Sequence, residues 1–157
     1  MPPGLTFGVA PVRELDPELL YAILRLRVDV FVVEQECAYP ELDGRDLEPG
    51  ALQFWASDDD GVVATLRLLV DEAGGGAPVR RIGRVATARR ARGGGLAAAL
   101  MERALDRSAD AEVVLDAQAH LAGWYARFGF APDGPEFVED GIPHVPMRRR
   151  GSAVQIL

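Results

Sequence analysis

Residues 84–96 constrain this chain most: a β-like run leads through Arg89, Arg90 and Arg92 into Gly93, Gly94 and Gly95, and then into a helical pattern. Leu96, Leu100, Met101, Ala104 and Leu105 recur at helical spacing and define one apolar face. The glycines therefore sit at a strand-to-helix turn. The first amide N–H groups of any helix lack intrahelical partners, and the macrodipole is positive at that end, so such a turn is suited to anions. Glycine lets the backbone approach a ligand closely, and the flanking arginines add charge. The pattern reads as a diphosphate site.

Several phosphate-binding folds can be set aside. A Walker loop needs Gly-Lys-Ser/Thr, and the chain contains no lysine. A dinucleotide fold would place Gly-x-Gly-x-x-Gly after the first strand of a parallel unit, with an acid about 20 residues on. Here the glycines come mid-chain, after runs that read as an antiparallel hairpin.

The rest of the chain supplies the frame. Residues 6–11 read as a strand, and Asp16-Pro17 offers an N-cap with proline at the first helical position, opening a helix to about Val33. Residues 36–50, with Pro40, Gly44, Pro49 and Gly50, read as a loop. Residues 52–57 and 62–70 are β-rich runs joined by Asp58-Asp59-Asp60-Gly61, a hairpin signal. After Gly74-Gly75-Gly76, a flexible tip, residues 79–87 give a third antiparallel strand. The motif helix spans about 94–108, a buried strand 113–117, and a helix 120–128 closed by Gly129. Residues 137–139 and 145–149 form a terminal hairpin. The predicted order, β-α-β-β-β-α-β-α-β-β, is a mixed α/β sheet.

Composition bounds the function classes. A length of 157 residues fits one domain, with 152–157 as a tail, and can bury a core without disulfides or metals. The excess of 24 acidic over 17 basic residues gives a net charge of −7, which argues against nucleic acid as a partner; it would favour cationic or amine substrates electrostatically, though it reads first as a solubility feature. No apolar run is long enough to span a bilayer, and the N-terminus lacks a basic region followed by an apolar stretch, so neither a membrane span nor a secretory leader is expected. The single cysteine, Cys37, cannot form an intrachain disulfide and fits a reducing cytoplasm. The apolar tail Ala153-Val154-Gln155-Ile156-Leu157 suggests docking on a second copy, as in a homodimer.

Arg90-x-x-Gly93-x-Gly95, preceded by the strand end Ile82 to Thr87, resembles the acetyl-coenzyme A signature of the GNAT acetyltransferase superfamily. Downstream, Trp124-Tyr125-Ala126-Arg127-Phe128-Gly129-Phe130 looks like that family's aromatic-Tyr-x-x-x-Gly-Phe segment. The runs 20–27, 30–35, 118–121 and Glu139-Asp140-Gly141-Ile142-Pro143-His144 resemble its ElaA-like branch, so the likeness covers about residues 19–148. Thr87 stands where proline is common and Ala91 where glycine is common, and neither departure removes an amide.

The resemblance implies a mostly antiparallel sheet flanked by helices, with two splayed strands, 79–87 and 113–117, forming the coenzyme A cleft. Backbone groups at Val85, Ala86 and Thr87 would bind pantetheine, and Arg90, Ala91, Arg92, Gly93, Gly94, Gly95 and Leu96 the diphosphate. Acetyl-coenzyme A is the implied co-substrate, with no metal, and the implied acceptor is a primary amine of a small molecule or protein. Tyr125 is the expected general acid for the departing thiolate. An alkylammonium has a pKa near 10.4, so a base must take its proton, and Glu34 and His144 are the candidates. Arg27, Phe31, Gln118 and His120 are expected to bind substrate.

A second pattern joins Arg27, Asp43, Asp46, Arg67 and Arg84, in which arginines on an apolar face or mid-strand need carboxylate partners. It reads as a structural ion network, and it also resembles acyl-homoserine-lactone synthases, which are longer and lack so complete a diphosphate turn. A catalytically silent acyl-coenzyme A binding module is the other alternative.

Overall fold

A computed structural model describes residues 4–71 and 78–151. The glycine tip at 74–76 and the apolar tail at 153–157 lie outside these residues. Strands β1 (Thr6–Ala10), β2 (Leu52–Asp58), β3 (Gly61–Asp71), β4 (Val79–Thr87), β5 (Glu112–Gln118), β6 (Ala131–Pro132), β7 (Phe137–Glu139) and β8 (Ile142–Arg149) form one sheet in the order β1-β2-β3-β4-β5-β8-β6, with β7 beside β8. Every pairing is antiparallel except β4 with β5. Helices α1 (Pro17–Val28), α2 (Leu96–Arg107) and α3 (Ala122–Ala126) flank it, as the α/β reading expects.

Residues 63–69 of β3 are buried without alternation, so both faces of the sheet are covered at its centre. One face carries the main core. There the apolar stripe of α2, Leu96, Leu100, Met101, Ala104 and Leu105, meets Phe54, Leu66, Ile82, Val113, Leu115 and Tyr125. Burying each leucine or methionine of the stripe is worth about 1.5–3 kcal/mol, and the stripe fixes the rotation of α2 and hence of the turn that precedes it. A smaller cluster of Leu26, Val30 and Ala86, with Phe31, Val62 and Ala88 packed on it, joins the first helix to the end of β4.

Local signals act as read. Asp16 accepts a hydrogen bond from the Leu19 amide at 3.0 Å and Pro17 opens α1. Gly129, at φ 92°, ends the segment after α3. The first helix differs from expectation in its last part: it is α-helical only to Val28 and continues through Asp29–Glu34 as a π-helix, with i to i+5 bonds from Gln35 N to Val30 O (3.3 Å) and Cys37 N to Val32 O (3.1 Å). The wider turn changes which side chains face β4. The expected helix over 120–128 is a 3-10 turn, Ala119–Leu121, followed by the short α3. The terminal hairpin begins earlier, at Ile142, with its bend at Asp140 and Gly141, both at positive φ.

The two central strands pair only between Val79–Arg81 and Glu112–Val114, yet β4 continues to Thr87 and β5 to Gln118. Past that point the strands part. A register shift between β3 and β4 opposite Leu66 coincides with Arg84 at φ 53°, a left-handed residue in the middle of a strand. Such a bulge bends the strand that carries it and here directs β4 away from β5.

Candidate active site

The gap between β4 and β5 opens into a cleft of about 440 Å3. Ile82, Gly83, Arg84 and Val85 line one wall, Leu115, Asp116 and Gln118 the other, and Phe31, Gln35, Cys37 and Tyr39 reach in from the segment after the first helix. Tyr125, Leu121, Ile142 and His144 close the far side. Within the opening, the edge of β4 that faces β5 has no strand partner beyond Arg81 among the described residues, so an extended amide-bearing ligand can add to it as a strand would.

The glycine turn lies at the end of β4. Gly93 and Gly95 take φ of 84° and 79°, and a Cβ on either would meet nothing within 4 Å. Backbone conformation, not crowding, therefore selects glycine at these positions. The amides of Gly93, Gly94 and Gly95 make no hydrogen bond among the described residues, and Gly95 precedes α2 without a side-chain cap. These orphan donors at the positive end of a 12-residue helix form an anion cradle. Its arginines are already engaged. Arg92 donates to both Glu34 oxygens at 2.7 Å and through Nε to Thr87 O at 3.0 Å, while Arg90 grips Asp58 at 2.7 and 2.9 Å.

Tyr125 is 8% exposed, its ring set edge-on to Trp124 (4.9 Å) and Phe130 (6.4 Å), and its hydroxyl has no hydrogen-bond partner among the described residues. Burial pushes the phenol up to about 12, so it stays protonated. His144 on β8 lies opposite Gln118 of β5 and stacks on Phe137, ring centroids 5.6 Å apart. Its Nδ1 is 2.7 Å from Ile142 O. A carbonyl partner requires a proton on Nδ1, which leaves the Nε2 lone pair available as a base.

Other candidates fall elsewhere. Glu34 does not line the cleft; it faces Arg92 and Arg89, and the Arg92 hydrogen bonds hold its carboxyl below the ordinary range, which weakens it as a base. His120 is exposed outside the cleft. Phe31 and Gln118 line it, whereas Arg27 is fully buried and cannot touch an acceptor.

Arg27 instead anchors a network. It donates to Glu41 at 2.6 Å and to Asp46 at 2.7 and 3.2 Å, and Gln53 also binds Asp46. Burial alone would lower its pKa, but Asp46 and Glu41 outweigh burial and raise it. Arg67 forms a fork with Asp43 (2.9 and 3.1 Å), and Arg84 approaches Asp43 at 3.3 Å and the Glu41 carboxylate at 3.0 Å, lying over the Tyr39 ring. The Glu41 contact is close but not aligned as a hydrogen bond: Nε of Arg84 and Nε of Arg67 are buried without one. Asp43 is pushed up by burial and brought down to about 2 by Arg67, the Arg45 amide and Arg84. Farther along the wall, Asp71 bridges Arg45 and Arg81, and Arg81 reaches Asp116.

Sequence reasoning missed Tyr39, Gln35, Cys37 and Arg81 as lining residues. A mid-strand arginine at 81 was the available signal; the others depend on the π-helix. Cys37 donates through Sγ to Asp140 O at 3.3 Å, tying this segment to the bend before β8. Among the described residues no cluster of His, Cys, Asp and Glu could hold a metal ion, and no helix is long and apolar enough to cross a membrane.

Comparison with known proteins agrees with this geometry. The acetyltransferase (GNAT) domain family matches residues 27–150. A UPF0039 protein of Mycobacterium tuberculosis is 51% identical over 140 residues, 89% of this chain and 90% of that one. The crystal structure of an acyl-CoA N-acyltransferase from Pseudomonas aeruginosa superposes with a TM-score of 0.84 at 44% identity, covering 92% of this chain and 99% of its own. Escherichia coli ElaA superposes at 0.82 with 36% identity, covering 93% and 99%. The chain belongs to the GNAT acetyltransferase family, in its ElaA-like branch.

Proposed function

We propose that this chain is an acetyl-coenzyme A dependent N-acetyltransferase, one catalytic domain acting in the cytoplasm on a primary amine of a small molecule or protein. The splay of β4 from β5 carries the reading, because it leaves strand-edge amides beside a cleft that ends at a tyrosine and a histidine. Pantetheine would lie along Val85, Ala86 and Thr87. The diphosphate would take the amides at 93–95, with Leu96 anchoring the turn in the core, Ala91 closing it, and Arg90 and Arg92 alongside.

Chemistry then needs proximity, a base, an oxyanion donor and a proton for sulfur. Holding amine and thioester in one cleft is worth about 7 kcal/mol or more when aligned. His144 Nε2 takes the ammonium proton. The neutral amine attacks the thioester carbonyl, a β4 amide steadies the oxyanion, and the C–S bond breaks as Tyr125 donates to sulfur. The leaving thiolate, whose thiol has a pKa of about 8.5, is a weaker base than the tyrosinate of a phenol at about 12, so Tyr125 acts first as a hydrogen-bond donor, and the second proton lost by the attacking nitrogen replaces any that Tyr125 yields to sulfur. Phe31 and Gln118 would bound the acceptor. Within the pattern of Arg27, Asp43, Asp46, Arg67 and Arg84, Arg27 and Asp46 serve as internal bracing, while Asp43, Arg67 and Arg84 also line the cleft.

Thiol release on a panel of amines, with acetyl-coenzyme A binding followed by calorimetry, tests the reading. Amine-dependent release is expected. Tight binding with no release from any amine would mark a silent binding module, and consumption of S-adenosylmethionine would mark a lactone synthase.

A further inference from the structure

Glu34 and Arg92 lie 58 residues apart, and both guanidinium NH groups meet both carboxylate oxygens at 2.7 Å. The fork joins two parts of the proposed machinery. Arg92 belongs to the diphosphate turn and is fixed to the end of β4 through Thr87 O. Glu34 ends the π-helix, whose Val30 and Phe31 pack on Ala86 and Ala88 and whose next residues, Gln35 and Cys37, line the acceptor side of the cleft. Arg89 adds a second cation 3.4 Å from Glu34.

From this juxtaposition we infer that the Glu34–Arg92 fork is a clasp that a bound diphosphate opens, so that coenzyme occupancy loosens the π-helical wall of the acceptor cleft. Glu34 is thus a positioning residue, and the inference rests on the coenzyme reading above. The physical reason is competition for the same guanidinium. A diphosphate seated on the amides at 93–95 brings negative charge next to a carboxylate that holds the nearest arginine, and two anions cannot share one fork without repulsion. With 41% of the Arg92 side chain exposed, the fork can re-aim without unpacking the core. The wall it secures is a π-helical turn whose Gln35 to Val30 bond is long, at 3.3 Å, with Cys37 to Val32 at 3.1 Å, and π-turns tend to occur at functional positions. Coupling is reciprocal, so an acceptor that needs the loosened wall would bind better after coenzyme than before it.

The test uses the intact chain, Glu34→Gln and Arg92→Gln, with coenzyme A and pantetheine as probes. Glu34→Gln removes the competing charge, and exposed pairs of this kind are worth roughly two- to fivefold in an equilibrium, so coenzyme A should bind about that much tighter while pantetheine, which lacks the diphosphate, is unchanged. Amide hydrogen exchange over residues 29–37 should quicken when coenzyme A binds the unaltered protein, and should already be quick in both variants without ligand. Equal shifts for both probes, or a segment 29–37 indifferent to coenzyme A that binds normally, would overturn the clasp alone. Failure of the unaltered protein to bind coenzyme A would overturn the clasp together with the coenzyme reading.

Discussion

Gly95→Ala separates the role of the turn in folding from its role in ligand binding. In the free protein an added Cβ at Gly95 meets no atom within 4 Å, so the only folded-state cost is the left-handed backbone at φ 79°. That conformation costs an L-residue about 1–2 kcal/mol, and the reduced freedom of the unfolded chain returns about 0.4–1 kcal/mol. The net loss should be about 0–1.6 kcal/mol, or up to about 6 °C in Tm for a chain of this size. Coenzyme binding should suffer more. A hydrogen bond from an amide to a charged phosphate oxygen is worth about 1.5–3 kcal/mol, so displacing one donor should weaken acetyl-coenzyme A by roughly 10- to 150-fold. Arg89 provides the control: its side chain is 74% exposed and its pair with Glu34 is long, at 3.4 Å, so Arg89→Ala should weaken binding by no more than about fivefold at physiological salt. Isothermal titration with acetyl-coenzyme A, beside a melting curve for each variant, measures both effects. Equal losses from Gly95→Ala and Arg89→Ala, or unaltered affinity in a folded Gly95→Ala protein, would refute the amide cradle.

Tyr125→Phe should lower kcat by about a hundredfold to ten-thousandfold with coenzyme affinity unchanged, since the hydroxyl has no partner to lose among the described residues; a fall of less than threefold would remove it from the chemistry. With the phenol at about 12, its ionisation should put no alkaline limb on the rate below about pH 11, as a pH profile would show. His144→Gln should depress kcat by a comparable factor, and a purely structural histidine would instead lower Tm with kcat intact. Arg27→Ala takes from the buried carboxylates of Glu41 and Asp46 the guanidinium they share and should cost about 3–5 kcal/mol by chemical denaturation, against under 1 kcal/mol if their remaining partners or water compensate. Asp43, brought down to about 2, and Asp46, also lowered, bind protons less readily folded than unfolded; the Asp43 contribution is complete above about pH 4 and drains away as the medium approaches pH 2, and the Asp46 contribution is likewise lost toward acid. An acid titration of stability that stayed flat over that interval would contradict the pairing.

How much of this was visible in the residues depends on the range of the interaction. The face of α2 follows from local spacing, and its five apolar residues are all buried as read. Asp16, Gly129 and the Asp58 to Gly61 hairpin likewise act through neighbours in sequence. The cleft was legible only through the likeness of two motifs to a known family, since nothing local says that β4 and β5 part after Arg81. The π-helix had no signal of its own. Its residues fit an α-helix equally well, and the wider turn places Val30 and Phe31 against Ala86 and Ala88, a contact between segments more than 50 positions apart. Glu34 illustrates the consequence: the family resemblance made it a candidate base just past the first helix, whereas an arginine 58 residues away already holds it.

The bulge at Arg84 and the buried charges behind it form one device. A left-handed arginine in mid-strand costs about 1–3 kcal/mol and persists only where its surroundings over-determine it. Here the guanidinium reaches the Glu41 carbonyl at 3.1 Å, the Glu41 and Asp43 carboxylates, and the face of Tyr39, contacts that a regular strand would aim elsewhere. Glu41 and Asp43 lie on a loop that would otherwise be free to follow the strand. They are held by Arg27 from α1 and Arg67 from β3, with Tyr39 donating to Glu41 at 2.6 Å. The strained residue is therefore gripped by a loop that α1 and β3 hold in place. Burying so many charges gains little net stability over an apolar core. It does offer directional bonds at a defined place, and a gap between two strands needs them, because apolar packing alone would favour closing β4 onto β5 and completing the ladder.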